Sequence, residues 1–222
     1  MSAWSQTATG RAFVFADPIV EPAHLFTEVA VHLAKATRFA GATEKPISIA
    51  QHSVLAAEEA LSATGDPELA AFVLLHDAHQ TWLGDWTSPA FAALLDEIVA
   101  SAAQAGCAEL NAHARAAHAK LALKLLKNRI DREVLTAAGL DFERFASRKS
   151  DIRRYDIQAL ATERRDLMKR PPMAWDIDTM HGSPPPRARR VKPEAWPVAE
   201  ERFKALLTQL CPDAARAANL AA

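Results

Sequence analysis

The feature that most restricts the fold of this chain is its shortage of residues that interrupt helices. Only 7 of its 222 residues are glycine, alanine is abundant, and runs of β-branched residues are few. Alanine favours helices most, whereas glycine costs a helix interior roughly 1 kcal/mol. A chain of this length, 50% hydrophobic, can also bury one core without disulfides. We therefore predict an all-α fold, with one helical domain spanning 1–222.

Apolar residues recur at helical spacing after the first 22 residues, which we expect to be extended or irregular. Gly65, Asp66 and Pro67 mark the end of one helix and the start of the next, because Asp caps a helix N-terminus and Pro fits its first turn. The predicted helices cover 22–37, a segment beginning at 46 or 48, 67–83, 90–105, 107–129, 131–145, 148–169 and 198–211.

A proline-rich segment separates the last two of these helices. Seven of the 13 prolines fall within 170–197, which predicts a long non-helical crossing. In the C-terminal helix, Phe203, Leu206, Leu207 and Leu210 form an apolar stripe. The stripe predicts that this helix packs back on the body of the domain.

Charge and cysteine content limit the classes of function. The 26 basic and 27 acidic residues give a net charge of −1, which argues against a protein that grips a nucleic acid polymer. Cys107 and Cys211 are too few for a disulfide framework or a cysteine zinc site. No apolar run reaches a membrane-spanning length of roughly 18 residues, and the first residues do not resemble a secretory signal. We expect a soluble, cytoplasmic protein without a membrane partner.

The dipeptide His76-Asp77 is the strongest chemical feature. It lies late in a predicted apolar helix, after the run AAFVLL. With His52 from a neighbouring helix and Asp156 from a third, it could form a four-ligand site for Mn, Fe, Co, Ni or Zn. The alternative is a helix end that faces solvent, since this dipeptide also arises by chance. The apolar run favours burial, where unpaired polar groups are costly.

Three strings carry a resemblance to a known family: RFAGATEKPISIAQHSV, LLHDAHQTWLGDWTSP and YDIQALATERRDLM. They resemble the HD-domain phosphohydrolases, in the branch of bacterial 5′-deoxynucleotidase-like and phage-type nucleotide hydrolases. The opening TATGRAFVFADP and the helix after the proline-rich segment extend the likeness over nearly the whole chain. The resemblance implies an HD-type helical bundle, one bound divalent transition metal, a small nucleotide as substrate and a homodimer.

The resemblance also implies roles for individual residues. It assigns His52, His76, Asp77 and Asp156 as metal ligands. Arg38, in TRFAG, matches an arginine that contacts substrate phosphate, a task suited to a guanidinium fork. Asp85, in LGD, matches an acidic residue near the metal-bound water.

The chain departs from the family pattern at Gln80, where relatives commonly carry glutamate three residues after the HD aspartate. An amide cannot exchange a proton with water, so Gln80 can only orient. Three alternatives follow: Asp85 alone assists the water, His79 substitutes at the pocket rim, or activity is reduced or lost.

Other polar and aromatic residues have structural as well as functional interpretations. Glu163 shares a helix face with Asp156; we expect a structural ion pair, with a hydrogen bond to a ligand histidine as the alternative. Trp82 is expected in the core, whereas Trp86 is the better candidate for an aromatic wall against a base. His32 is expected to be a partly buried, hydrogen-bonded histidine.

The expected function is therefore hydrolysis of a nucleotide, with a 5′-deoxynucleoside monophosphate as the first choice of substrate. One alternative is a deoxynucleoside triphosphate triphosphohydrolase on the same scaffold, which would need additional basic residues around the pocket. Another is a non-catalytic metal- or nucleotide-binding protein, suggested by Gln80.

Overall fold

The computed structural model describes residues 2–179 and 181–220, and these residues form an all-α fold, as predicted. The helices are α1 (Pro22–His24), α2 (Ala30–Lys35), α3 (Ile49–Thr64), α4 (Pro67–Leu75), α5 (Gln80–Leu83), α6 (Ser88–Gln104), α7 (Glu109–Ala137), α8 (Phe142–Ser147), α9 (Lys149–Leu167), α10 (Asp176–Thr179), α11 (Trp196–Leu210) and α12 (Pro212–Leu220). No helix in the described ranges is both long and apolar enough to cross a membrane.

The N-terminal segment contains a small hairpin where we expected irregular chain. Strands β1 (Trp4–Gln6) and β2 (Ala12–Val14) pair antiparallel. Phe13 points inward from β2, is fully buried, and stacks on Trp82 at 4.1 Å between ring centroids. Trp82 is thus confirmed as a core residue. The hairpin forms because this inward aromatic anchors the strand pair to the helical body.

The first predicted helix, 22–37, is interrupted. A π-helical segment, Leu25–Val29, lies between α1 and α2, and the helix ends at Lys35. A short 3₁₀ segment, Arg38–Gly41, then brings Arg38 into the interior.

Helix α3 is the centre of the fold, with α2, α4, α9 and α11 packed around it. Ser48 caps its N-terminus, and Gly65 ends it in the left-handed conformation, at φ 67°. Asp66 caps α4 as predicted, accepting a hydrogen bond from the Leu69 amide.

The prediction of one helix over 67–83 was wrong. Helix α4 ends at Leu75, and a turn precedes α5. Nδ1 of His76 donates a hydrogen bond to the Val73 carbonyl at 2.7 Å. In a continuing helix, a backbone N–H of the next turn would use this carbonyl. The amides of Ala78 and Gln80 donate to the carbonyls of Leu75 and Asp77, three residues earlier. An α-helix would instead use carbonyls four residues earlier. The His76-Asp77 pair therefore lies in a turn rather than late in a helix.

The predicted break between 107–129 and 131–145 was also wrong. Helix α7 continues to Ala137 and ends before Gly139, which has φ of 75°. The helix continues through the predicted break because no proline or glycine lies within α7. Helix α7 packs on α6, and its last third carries Ile130 and Val134 into the core.

The proline-rich crossing and the C-terminal region follow the prediction with two differences. The crossing contains a one-turn helix, α10, and the next helix, α11, begins at Trp196 rather than 198. A further helix, α12, follows because Pro212 is accepted in a first turn. Phe203 and Leu207 of α11 are fully buried, so the predicted packing on the body is confirmed.

Candidate metal centre

His52 lies on the central helix α3 and is fully buried. Its Nδ1 is 2.8 Å from Oε1 of Glu163, a fully buried carboxylate on α9. Because a carboxylate accepts, Nδ1 donates the proton, and the other nitrogen, Nε2, carries the lone pair of the neutral ring. Within the described residues, Nε2 has no hydrogen-bond partner.

His76 is held in the same way by a different acceptor. Its Nδ1 donates to the Val73 carbonyl at 2.7 Å, since a carbonyl can only accept, so Nε2 carries the lone pair whenever the ring is neutral. Its Nε2 is also buried and, in the part of the chain described, has no hydrogen-bond partner. Two imidazoles thus present unpartnered ring nitrogens while their opposite nitrogens are anchored, an arrangement typical of metal-binding histidines.

The four predicted ligands converge. Asp156 Oδ1 is 3.2 Å from Nε2 of His52 and 3.8 Å from Nε2 of His76, while Asp77 Oδ2 is 3.4 Å from the latter. One ligand atom each from His52, His76 and Asp77 lies within 4.8 Å of the others. Ligands at about 2.0–2.2 Å from a tetrahedral ion are themselves roughly 3.3–3.6 Å apart. The donor types suit a divalent transition ion, and the group of His52, His76 and Asp77, with Asp156 beside both rings, could hold one.

The electrostatics of this cluster favour positive charge. Burial alone would lower the pKa of His76, but Asp77 and Asp156 outweigh it and raise that pKa to about 9. Burial would raise the pKa of Asp156, yet the two histidines hold it well below its ordinary value. Both directions have one cause, the attraction between the histidines and the carboxylates packed against them, which favours the charged form of each group.

Arg38 supplies the compensation at one edge of the cluster. It is 8% exposed, and its Nε donates to Glu163 Oε2 at 2.9 Å. Its Nη1 lies 3.7 Å from Asp77 Oδ2. Glu163 therefore forms the expected structural ion pair with Arg38 and also the hydrogen bond to His52 that we considered as the alternative.

The loop that carries Arg38 is strained. Phe39 and Ala40 have φ of 57° and 50°, a left-handed conformation that is unfavourable for residues with a side chain. This turn follows Arg38, whose guanidinium contacts Glu163 and lies 3.7 Å from Asp77. Sequence reasoning found Arg38 but not this backbone conformation.

The structure brings Asp85 near this cluster. The Asp85 carboxyl is half-buried, and that burial raises its pKa although the charge of Arg38 and the Phe39 amide act to lower it. Gln80 Oε1 is buried and has no hydrogen-bond partner among the residues described. Trp86 is 53% exposed, 6.2 Å from Phe91 between ring centroids.

His79 faces a partner that the sequence did not reveal. Its Nδ1 is 2.9 Å from Oδ1 of Asp131, and both residues are buried. Asp131 lies among the buried residues Ile130 and Val134 of α7. A charged residue among apolar ones could have indicated from the sequence that Asp131 has a buried partner. His32, as expected, is satisfied: its Nε2 accepts from the Ala8 amide and its Nδ1 donates to the Thr81 carbonyl.

Comparison of the chain with protein-family models found no match, and comparison with curated proteins found none either.

Proposed function

We propose that this protein is a metal-dependent phosphohydrolase of the HD type that acts on nucleotides. The observation that carries the proposal is the pair of buried, unpartnered Nε2 atoms of His52 and His76, facing Asp77 and Asp156 at 3.2–3.8 Å. Unsatisfied buried nitrogens are costly. A cation bound by both rings would remove that cost.

His52, His76, Asp77 and Asp156 would hold one ion of Mn, Fe, Co, Ni or Zn. Once bound, such an ion lowers the pKa of a water ligand and polarises a phosphoryl oxygen. Glu163 positions both sides of this arrangement, because one of its oxygens orients the His52 ring and the other holds Arg38.

We assign Arg38 to the phosphate. Its Nε is used by Glu163, which leaves the Nη groups to donate to phosphate oxygens. We assign the Asp85 carboxylate to orient the attacking water and to accept its proton, because the half-buried group lies near Arg38. Gln80 can only orient, and Trp86 offers an exposed ring face for a base.

A 5′-deoxynucleoside monophosphate is our first choice of substrate. A non-catalytic metal- or nucleotide-binding protein is the second candidate, favoured by the amide at Gln80. The triphosphate alternative depends on basic residues beside the pocket, which are considered below.

The test is release of phosphate, pyrophosphate or triphosphate from a panel of nucleotides with added Mn or Co. We expect metal-dependent product release, and Asp77→Asn should lower both metal affinity and turnover by more than about 100-fold, since it removes a ligand. Asp17→Asn is the matched control, because Asp17 is an exposed carboxylate away from the cluster. Metal binding without product from any nucleotide would favour the binding-only candidate.

A further inference from the structure

A basic groove adjoins the candidate metal centre. It is a cavity of about 440 Å³ lined by α6, α7 and α9, and the ligands His76 and Asp156 form part of its wall. Its lining includes five cationic side chains: Lys120, Lys124, Lys127, Lys149 and Arg153. A chain with a net charge of −1 thus concentrates positive charge beside the one place where a phosphate would react.

The cations form two rows that lead to this centre. On α7, the three lysines are spaced by four and three residues and share one face, with Asp131 following four residues after Lys127. On α9, Lys149 and Arg153 have the same spacing and the ligand Asp156 comes next. The helical rise places the farthest lysine about 16 Å from Asp131 along α7.

These cations lack partners within the protein. None of the five forms an ion pair with a carboxylate in the ranges that the structure describes, unlike other arginines nearby. Arg148 contacts Asp66 at 3.1 Å and Asp151 at 2.7 Å, and Arg144 contacts Glu68 at 2.6 Å. Of the two carboxylates that line the groove, Asp131 accepts a hydrogen bond from His79, and Asp156 faces the ring nitrogens of His52 and His76 at 3.2 Å and 3.8 Å.

We infer that the groove binds the polyphosphate chain of a nucleoside triphosphate, with one phosphate at the metal centre and the others between the two rows. The inference rests on the proposed function and replaces its first choice of substrate, a monophosphate, with a triphosphate. A monophosphate can be satisfied by Arg38 and a metal alone. Each further phosphate adds negative charge, and only a longer chain would use cations that extend away from the centre.

The groove can be tested by calorimetry, without relying on turnover. The metal-free chain of 222 residues is titrated at low salt with inorganic tripolyphosphate and, separately, with orthophosphate, and the two affinities are compared. We expect tripolyphosphate to bind about tenfold or more tightly than orthophosphate. The double variant Lys124→Ala/Arg153→Ala should lose about tenfold in affinity for tripolyphosphate. The control Arg115→Ala/Arg154→Ala removes the same charge from α7 and α9 outside the groove and should change the affinity less than about twofold.

Kinetics with the mono- and triphosphate of one deoxynucleoside separate this inference from the proposed function. The groove variant should raise KM for the triphosphate and leave that for the monophosphate unchanged. Groove-dependent tripolyphosphate binding without hydrolysis of any nucleotide supports the groove and refutes the enzyme. Equal binding of tripolyphosphate and orthophosphate, equal losses in both double variants, or a single-stranded oligonucleotide that binds more tightly than tripolyphosphate overturns the groove assignment.

Discussion

Two fully buried glutamates, Glu28 and Glu163, each accept a hydrogen bond from an arginine, but the two clusters they form differ in what else they contact. Glu28 lies in the π-helical segment and accepts hydrogen bonds from Arg11 at 2.7 Å and from Thr9 at 2.6 Å. These contacts fasten the N-terminal hairpin to the helical body. Glu163 accepts from Arg38 at 2.9 Å and from His52 at 2.8 Å.

The two clusters differ in what they leave unsatisfied. The contacts of Glu28 end within the protein, since Arg11 also donates to the Ile19 carbonyl at 3.0 Å. The contacts of Glu163 continue through His52 to a buried nitrogen without a partner among the described residues. A buried charge network that is complete within the chain serves stability, whereas one that ends in aligned, unpaired donors or acceptors marks a place for a ligand.

Of the two clusters, the one around Glu163 should show the larger effect when it is broken. Glu163→Gln leaves a single acceptor oxygen, so either Arg38 or His52 faces the amide NH₂ in place of a carboxylate oxygen. We expect metal affinity to fall about 10–100-fold and unfolding free energy to fall by about 3 kcal/mol. Metal titration and denaturant unfolding measure the two. An unchanged metal affinity would mean that Glu163 does not position the site.

Glu28→Gln is the matched substitution in the first cluster and should have a smaller, purely structural effect. We expect a loss of about 2 kcal/mol at pH 7, because hydrogen bonds to a charged group are lost, with metal affinity unchanged. Hydrogen bonds and the charge of Arg11 lower the pKa of Glu28 below its ordinary 4.5, although burial alone would raise it.

That pKa shift gives this variant a pH dependence. A carboxyl whose pKa is lowered by folding contributes stability above its unfolded pKa and loses it as pH falls through the folded value. The stability difference between wild type and Glu28→Gln should therefore be full at pH 7 and shrink below about pH 4.5. A difference that is constant with pH would show that the charge of Glu28 contributes nothing.

The sequence predicted the helical class because helix propensity depends on local patterns, and the four residues it proposed as metal ligands lie close together in the structure. Helix propensity and apolar spacing located α3 and α9, and these helices place His52 and Asp156 3.2 Å apart. It missed the end of α4, because the competition of the His76 side chain for the Val73 carbonyl is not encoded in apolar periodicity. It also missed the Asp131–His79 pair and the two-row groove, which depend on how α7 packs beside α9.

The most direct test of the account is an anomalous-scattering map from crystals of this protein grown with manganese. The account predicts one strong peak bounded by Nε2 of His52, Nε2 of His76 and the carboxylates of Asp77 and Asp156. A map without density there, or with the four side chains turned away from a common point, would contradict it.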